Sequence, residues 1–372
     1  MADDAFPDAK VVIGWDVGGA HVKAARWQDG RLHEVRQWPC ALWQGLPKLD
    51  AVLDDAFAHW PQARDAHHAV TMTGEMVDLF EHREQGVLRL ASHLTGRLGD
   101  GMRLFGVDED WITADRVAAH WHTLASANWS ATARVVAALQ HQAVLVDIGS
   151  STTDIAPVAA GQVLARGRDD AHRLHLGELV YQGVVRTPLC ALAQRIGHQG
   201  RDYHVMNEWF ATTADVYRLT GELDAAHDQH PTADGGEKDV PGSCRRLGRM
   251  IGHDARDASL DAWIAFAQDW RARQLALITP ALRTVIASAG LDPGAPLVGA
   301  GCGHFLVREL AAALGRPYVS FDQLVNATAP WDTWARVCAP AVSVAMLMAR
   351  AHTDSAALRQ PAELSLEPPP CW

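Results

Sequence analysis

The sequence predicts an α/β protein with two similar domains, and three observations support this prediction. The chain has 372 residues, more than one core usually contains, so two domains of roughly 100–200 residues each are expected. A short apolar run followed by Asp-x-Gly occurs twice, at Asp16 and at Asp147. A third apolar run leads into the glycine-rich stretch 299–303. Short apolar runs that end in glycine are typical of buried strands in such proteins.

Each Asp-x-Gly loop is followed by the pattern of strand, turn and strand. In the first copy, residues 22–28 and 31–38 flank Asp29-Gly30, a dipeptide that favours a tight hairpin turn. In the second copy, residues 154–159 and 162–165 flank Gly161. We therefore predict a duplicated unit in which a strand and its loop lead into a hairpin.

The two loops have the composition of an anion-binding site. When the copies are aligned, Asp16 matches Asp147 and Lys23 matches Asp154. Glycine lets the backbone approach an anion closely, and successive amides can form a concave anion site. Magnesium takes only one or two carboxylates, so Asp16 and Asp147 are the predicted metal ligands. The predicted anion-binding residues are Gly18, Gly19, Ala20, Gly149, Ser150, Ser151 and Thr152.

The segment between the two copies predicts two further parts of the first domain. Apolar residues at helical spacing predict a helix over residues 47–60. Residues 69–73 read as a strand that places Glu75 at its carboxyl end, where ligands gather in open α/β sheets. A helix cap explains Glu75 about as well. Helices over 113–126 and 130–141 complete a first domain, residues 1–141.

The second domain, residues 142–332, is predicted to be more helical. Arg186 stands beside a Thr-Pro turn, where it could contact phosphate, although a lone arginine is more often solvated. Residues 207–220 predict a helix that carries Glu208. Residues 221–243 are rich in Gly and Asp, and we expect a mobile loop near the substrate.

Three features follow this loop: a cluster of arginines, a glycine-rich third loop and a closing helix. The cluster Arg245, Arg246 and Arg249 is interpreted as a solvated helix face, with binding of an acidic substrate tail as the alternative. The apolar residues of 334–351 predict a helix that packs back on the first domain, and 352–372 form a tail. The third loop adds Gly299, Gly301 and Gly303 to the predicted cofactor contacts.

Charge and cysteine content restrict the class of partner. A net charge of -11 argues against general binding of nucleic acid or anionic membranes, because both depend on electrostatic attraction to phosphate. The six cysteines are scattered and no leader is evident, which favours a cytoplasmic protein with reduced thiols. Small-molecule substrates are therefore expected, and a homo-oligomer is compatible with the sequence.

Taken in order, the three loops resemble the phosphate-one, phosphate-two and adenosine signatures of the actin, Hsp70 and sugar-kinase superfold. They read Asp-x-Gly-Gly-x-x-x-Lys from Asp16, Asp-x-Gly-Ser-Ser-Thr-Thr-Asp from Asp147, and Gly-x-Gly-x-Gly from Gly299. The resemblance implies two ribonuclease-H-like α/β domains with a ligand cleft between them.

A narrower resemblance comes from five shorter segments, which are similar to segments of the hydantoinase/oxoprolinase-like proteins linked to tetrahydromethanopterin-dependent one-carbon transfer. The segments are 71–75, 177–181, 186–190, 207–217 and 232–235. Archaeal members of that family are methanofuran-biosynthesis synthases. The resemblance implies transfer of an aminomethylfuran-methyl group from its diphosphate to the phenol oxygen of a tyramine or tyrosine acceptor, with or without glutamyl residues.

The implied chemistry assigns roles to the charged residues. Lys23, Arg186 and a magnesium ion would stabilise the departing diphosphate. Glu75 is the candidate general base for the phenol, with Asp154 or Glu208 as alternatives. ATP could occupy the same loops but is not expected to be required.

Two other functions remain open from the sequence. An ATP-dependent kinase or a hydrolase of the hydantoinase/oxoprolinase type would use the same loops. A nucleotide-bound regulator without turnover would also need Asp16, Lys23 and Asp147, since binding alone requires similar residues.

Overall fold

The computed structural model describes residues 11–108 and 111–359, and it contains two mixed sheets flanked by helices. The strands of the first sheet are β1 (Val11–Val17), β2 (His21–Gln28), β3 (Arg31–Pro39), β4 (His67–Met72) and β5 (Arg103–Leu104). The other strands are β6 (Gln142–Ile148), β7 (Thr153–Ala159), β8 (Gln162–Val163), β9 (Leu179–Val180), β10 (Arg195–His198), β11 (Arg201–His204), β12 (Leu297–Ala300) and β13 (Tyr318–Ser320). The helices are α1 (Pro47–His59), α2 (Arg83–Leu98), α3 (Val117–Leu124), α4 (Asn128–Leu139), α5 (Asp170–Leu176), α6 (Thr213–Thr220), α7 (Val240–Arg249), α8 (Leu260–Ala289), α9 (His304–Ala313), α10 (Phe321–Leu324), α11 (Asp332–Val337) and α12 (Ala339–Arg359).

The two sheets have the same topology. The first has the order β3-β2-β1-β4-β5, and the second has β8-β7-β6-β12-β13, so each places a hairpin beside a pair of parallel strands. In the first, Asp16 lies opposite Lys23 on the neighbouring strand, and in the second Asp147 lies opposite Asp154. The loops also close alike, because the amides of Gly18 and Gly149 each donate to a carbonyl three residues later at 2.9 Å. The predicted duplication is therefore present in the strand order, in the pairing of these residues and in the hydrogen bond that closes each loop.

Helix α12 packs against β1, β2, β4 and α4, and it therefore lies between the two halves of the chain. Gly14 makes this approach possible, since a Cβ at that position would lie 2.1 Å from the carbonyl oxygen of Ala341. The region predicted as one helix over 334–351 forms two helices, because Pro340 has no amide hydrogen and suits the first turn of a new helix. Helix α12 also continues to Arg359, into the stretch expected to be a tail; residues 1–10 and 360–372 lie outside the described ranges.

The core consists of two clusters of buried side chains. The smaller contains Trp15, Leu53, Phe57 and Leu90, and it fills the space between the first sheet and helices α1 and α2. The larger joins the second sheet to α4, α8 and α12, and it includes Val12 and Ala25 from the other face of the first sheet. The halves are therefore connected by a continuous apolar core next to α12.

Three local predictions differ from the structure. The helix expected over 207–220 begins only at Thr213, because Thr212 and Asp215 form a reciprocal capping box that fixes the helix start. Of the clustered arginines, Arg245 and Arg249 are exposed as expected, but Arg246 is fully buried and pairs with Asp215 and Asp234. The loop predicted over 221–243 is shorter, because residues 240–243 form the first turn of α7. Asp234 ties this loop to α7 through its ion pairs with Arg246 and Arg249.

The remaining helices agree with expectation or extend it. The helix predicted over 47–60 is α1, and helices α3 and α4 replace the pair predicted around Asn128, which itself begins α4. Helix α8 runs uninterrupted through Pro280. Within the described ranges, no helix has the length and apolarity needed to cross a membrane.

Candidate functional site

A cleft of about 600 Å³ lies where the two Asp-x-Gly loops meet. Both loops contribute to its lining, and so do the residues at the carboxyl ends of β1, β4 and β6. The predicted site residues that line it are Asp16, Gly18, Gly19, Ala20, Lys23, Asp147, Gly149, Ser150, Ser151, Thr152, Asp154 and Arg186. The two halves of the duplication therefore face one common space.

Lys23 and Asp16 form an ion pair at the base of the first loop. The Lys23 Nζ lies 3.2 Å from the Asp16 Oδ2, and the Asp16 side chain is only 4% exposed. Burial disfavours the charged amine, but the carboxylates of Asp16 and Asp147 outweigh it and raise the pKa of Lys23 above its ordinary value. Lys23 therefore remains a cation at the cleft.

Asp16 and Asp147 together suit a divalent cation. The buried Asp16 Oδ1 has no hydrogen-bond partner among the described residues, which is the state expected of an oxygen that awaits a cation. Burial and the neighbouring Asp154 raise the pKa of Asp147 to about 7. The described residues contain no group of three or more His, Cys, Asp or Glu side chains arranged for a metal. Two carboxylates suit a cation that keeps several waters or phosphate oxygens, as magnesium does.

The second loop is held by the segment that follows β9. A Cβ on Gly183 would lie 2.4 Å from the Ser150 carbonyl carbon and the Ser151 nitrogen, so only glycine fits beneath the loop. The Arg186 amide donates to the Ser150 carbonyl oxygen at 2.8 Å. The Arg186 Nη1 donates to the Ser151 Oγ at 3.3 Å, so the guanidinium lies at the mouth of the cleft. Arg186 is exposed there and contacts the loop, and its role as a phosphate ligand stays a prediction.

Asp154, the counterpart of Lys23 in the second loop, forms a buried ion pair. The Arg173 Nη1 donates to its Oδ1 at 2.7 Å, and the Arg173 guanidinium lies 4.0 Å above the Trp129 ring. Burial raises the pKa of Asp154 and Arg173 opposes that change. With its charge held by Arg173, Asp154 is a less suitable general base than a carboxylate without a cationic partner.

Glu75 lies behind the cleft and not in its lining. Its side chain is fully buried, and its Oε1 accepts a hydrogen bond from the Ser126 Oγ at 2.9 Å. Burial is the main reason that the pKa of Glu75 rises to about 7. The Ser126 Oγ also lies 3.0 Å from the Asp170 Oδ2, and Asp170 pairs with Arg83.

The Ser126 hydroxyl connects Glu75 to the cleft. Ser126 and Asp170 both line the cleft. One hydroxyl has a single proton, so it donates to one carboxylate at a time, and the other contact needs a protonated carboxyl as donor. A neutral Glu75 can donate to Ser126 while Ser126 donates to Asp170. When Glu75 is ionised, Ser126 donates to Glu75 instead, and its contact with Asp170 is then a hydrogen bond only if Asp170 carries a proton.

Besides Glu75, four predicted site residues lie outside the cleft lining. Glu208 is exposed in the irregular segment before α6. The three glycines of the third loop support other elements, since a Cβ on Gly301 would lie 2.5 Å from the Asp147 Oδ1 and one on Gly303 would lie 2.5 Å from the Ile148 Cγ2. A Cβ on Gly299 would lie 2.6 Å from the Tyr318 ring. Cofactor binding by these glycines stays a prediction, but the structure gives them a packing role.

Other cleft residues were not expected from the sequence. They include His21, Trp43, Ser126, Asp170, Arg173 and Tyr181. His21 is buried, and burial together with the His230 ring lowers its pKa to about 2, so it is neutral. Most of these residues come from segments far apart in the chain, and no local pattern marks them. For Arg173, only its position shortly after the second loop offered a signal.

Comparison with known proteins gives one family and one fold. A family model described as hydantoinase/oxoprolinase matches residues 67–348. A protein of Methanocaldococcus jannaschii named (4-{4-[2-(gamma-L-glutamylamino)ethyl]phenoxymethyl}furan-2-yl)methanamine synthase is 28% identical over 276 residues, which cover 74% of this chain and 82% of that protein. A protein of Methanococcus vannielii with the same name is 30% identical over 171 residues, or 46% of this chain and 75% of that protein.

Among solved structures, nucleotide-free acetone carboxylase matches with a TM-score of 0.53 at 12% identity, covering 83% of this chain and 68% of that one. Identity at this level shows the fold alone. The predicted α/β architecture of the actin, Hsp70 and sugar-kinase type is confirmed, and so is the predicted resemblance to the matched family.

Proposed function

The chain belongs to the hydantoinase/oxoprolinase family, and from that premise we propose that it is a synthase that releases diphosphate. It would transfer an aminomethylfuran-methyl group from the diphosphate ester to the phenol oxygen of a tyramine or tyrosine acceptor, with or without glutamyl residues. The names of the two archaeal synthases, which specify a phenoxymethyl-furan methanamine, support this assignment. The observation that carries it is the cleft itself, where two anion loops, Lys23 and two metal-suited carboxylates face each other.

The proposed reaction makes one C–O bond and breaks another. The bond between the furan methylene and the diphosphate oxygen breaks, and both of its electrons stay on the diphosphate. The phenol oxygen supplies the electron pair for the new ether bond and loses its proton. Positive charge therefore develops on the methylene carbon, while negative charge develops on the leaving oxygens.

The residues of the cleft suit the leaving group. Lys23 and Arg186 supply cationic hydrogen-bond donors, and the Gly18–Ala20 and Gly149–Thr152 loops surround the same space. Such donors act where charge develops, and they cost little reorganisation when they are held in place beforehand. A magnesium ion held by Asp16 and Asp147 would add positive charge at the leaving oxygens.

Glu75 remains our candidate for the phenol proton, acting through the Ser126 hydroxyl. A base is most effective when its pKa lies near the working pH, and the buried Glu75 has a pKa of about 7. Asp154 is held by Arg173, and Glu208 does not line the cleft. The geometry of the described residues therefore favours Glu75 over the two alternatives.

The decisive experiment omits nucleotide. Purified protein is incubated with magnesium, the furan-methyl diphosphate and a phenolic acceptor, and products are analysed by mass spectrometry. We expect an ether product and one equivalent of diphosphate, each dependent on both substrates. Turnover only with ATP would refute the synthase and support the ATP-dependent kinase or hydrolase, which the family description also allows.

A further inference from the structure

A second cavity of about 470 Å³ adjoins the cleft. Trp43 and Arg186 line both spaces, so the two are continuous at these side chains. The remaining walls come from segments that the phosphate loops do not use. They include Pro188, Trp209, Thr212 and Thr232, from the stretches that carry the family resemblance. The diphosphate chemistry alone gives these residues no role.

The walls of this cavity suit a flat aromatic ring. Trp209 and Trp43 are 58% and 41% exposed, which is unusual for so large an apolar side chain unless it serves a binding surface. The Trp43 ring also lies 6.0 Å from the His230 ring. Aromatic side chains bind other rings by offset or edge-on stacking. The cavity therefore offers aromatic surface on the side nearest the cleft.

The floor of the cavity is already neutralised. Asp215 accepts hydrogen bonds from Arg246 and Ser243, each at 2.8 Å, and Arg218 also pairs with it. Asp228 pairs with Arg218 and with Lys238. Since each carboxylate has a cationic partner, the floor provides no unpaired charge for a charged ligand. A neutral ligand body fits such a surface better than an anion or a cation.

Arg186 is different, and it stands where the two spaces join. No carboxylate pairs with it among the residues that the structure describes, and its Cζ lies 5.9 Å from the Trp43 ring centroid. A guanidinium at the junction can stabilise an oxygen that becomes negative there. The second cavity thus combines a neutral aromatic body with a cation at one end.

From these observations we propose that the second cavity binds the phenolic acceptor. The ring lies beside Trp43 and Trp209, and the phenol oxygen points past Arg186 into the cleft. This assignment rests on the proposed function for the identity of the acceptor, but the aromatic site can be tested without turnover. It makes Trp209 a residue for acceptor binding and gives Arg186 a second role beside the leaving group.

The test separates phenol binding from the reaction. Binding of N-acetyltyramine, a neutral phenol, to the full chain is measured by calorimetry in the presence of magnesium pyrophosphate, which is added to fill the proposed diphosphate site. Trp209→Ala should weaken binding about tenfold, because one stacked ring is lost. Ala214→Leu, which fills space in the same cavity, should weaken it as well. The matched control is Leu277→Ala, an exposed apolar side chain outside both spaces, and its affinity should equal that of the wild type.

Steady-state assays complete the design. Trp209→Ala should raise the KM for the phenol and leave the KM for the furan diphosphate unchanged. The control Leu277→Ala should leave both KM values unchanged. Ether formation with an unaltered phenol KM in Trp209→Ala would overturn the acceptor site and leave the synthase standing. Phenol binding that depends on Trp209 without any ether product would support the site and refute the synthase. Absence of phenol binding to the wild type would overturn the site.

Discussion

Replacing Glu75 with glutamine tests both the burial of this carboxyl and its proposed role. Glutamine keeps the shape of the side chain but cannot ionise. The pKa of Glu75 is raised by burial from 4.5 to about 7. Each tenfold change in the protonation equilibrium corresponds to about 1.4 kcal/mol, so ionising the folded protein costs about 3 kcal/mol more than ionising the unfolded chain. Because Glu75 is fully buried, solvent screening does not reduce this figure appreciably.

The pH dependence of stability follows from that difference. Below pH 4.5 both states keep the proton, and between 4.5 and about 7 only the folded state keeps it, so the contribution of Glu75 to stability falls as pH rises through this window. The free energy of unfolding of Glu75→Gln and wild type should therefore be similar at low pH. At about pH 8.5 the variant should be more stable by up to about 3 kcal/mol.

Denaturant unfolding at both pH values, read by circular dichroism, measures this difference. Comparing the two proteins at each pH cancels the titration of all other groups that the substitution does not disturb. Glu208→Gln is the matched control, since Glu208 is exposed and ionising it requires no desolvation. A gap between Glu75→Gln and wild type that is the same at both pH values would refute the proposed burial penalty.

The same variant tests catalysis. If ionised Glu75 accepts the phenol proton, kcat/KM of the wild type should rise with pH through about 7 and then level off. Glu75→Gln should lose this rise and react at least about 100-fold more slowly. An unchanged rate and pH profile would exclude Glu75 as the base.

Three further substitutions probe the cleft. Lys23→Met removes the cation beside Asp16 and should lower kcat by about 100-fold or more, measured as diphosphate release. Gly301→Ala should destabilise the protein by about 2 kcal/mol or more in denaturant unfolding, because the added Cβ meets Ile148 and Asp147 and the residue has a positive φ of 78°. The control Gly96→Ala, which has open space around it, should not destabilise the protein. Arg173→Leu leaves the Asp154 carboxylate buried without a partner and should cost about 3–5 kcal/mol of stability, part of which Asp154→Asn should restore.

Those parts of the site whose residues lie close together in the chain could be predicted from the sequence. Asp16 and Asp147 each lie next to the last residue of a buried strand, and the residues that close each loop lie within five positions of the aspartate. The composition of these loops predicts an anion site, and binding of an anion there stays a prediction. The strand, turn and strand after each loop were predicted as well, and β2–β3 and β7–β8 form those hairpins.

The parts that depend on distant contacts could not be predicted. Ser126 becomes a link between Glu75 and the cleft only when the turn between α3 and α4 lies beside the segment after β4, and nothing in the sequence around Ser126 marks that contact. The arginines of α7 were expected in solvent because helical spacing alone cannot tell a buried ion pair from an exposed face. Arg246 is buried because Asp215 and Asp234 come from other segments.

Local charge, and not the net charge of -11, determines what the cleft can bind. Lys23 and Asp154 occupy equivalent positions of the duplication and carry opposite charges. Each is paired with a residue of the other sign: Lys23 with Asp16, and Asp154 with Arg173. Asp170, also in the lining, pairs with Arg83. The other charges in the cleft lining are Asp78, which is exposed, Asp147, which with a pKa of about 7 is ionised only in part, and the cation of Arg186. The lining is therefore close to neutral in a chain that is acidic as a whole. This balance is compatible with the proposed binding of a diphosphate, since most carboxylates at the site are paired, partly protonated or available to a cation.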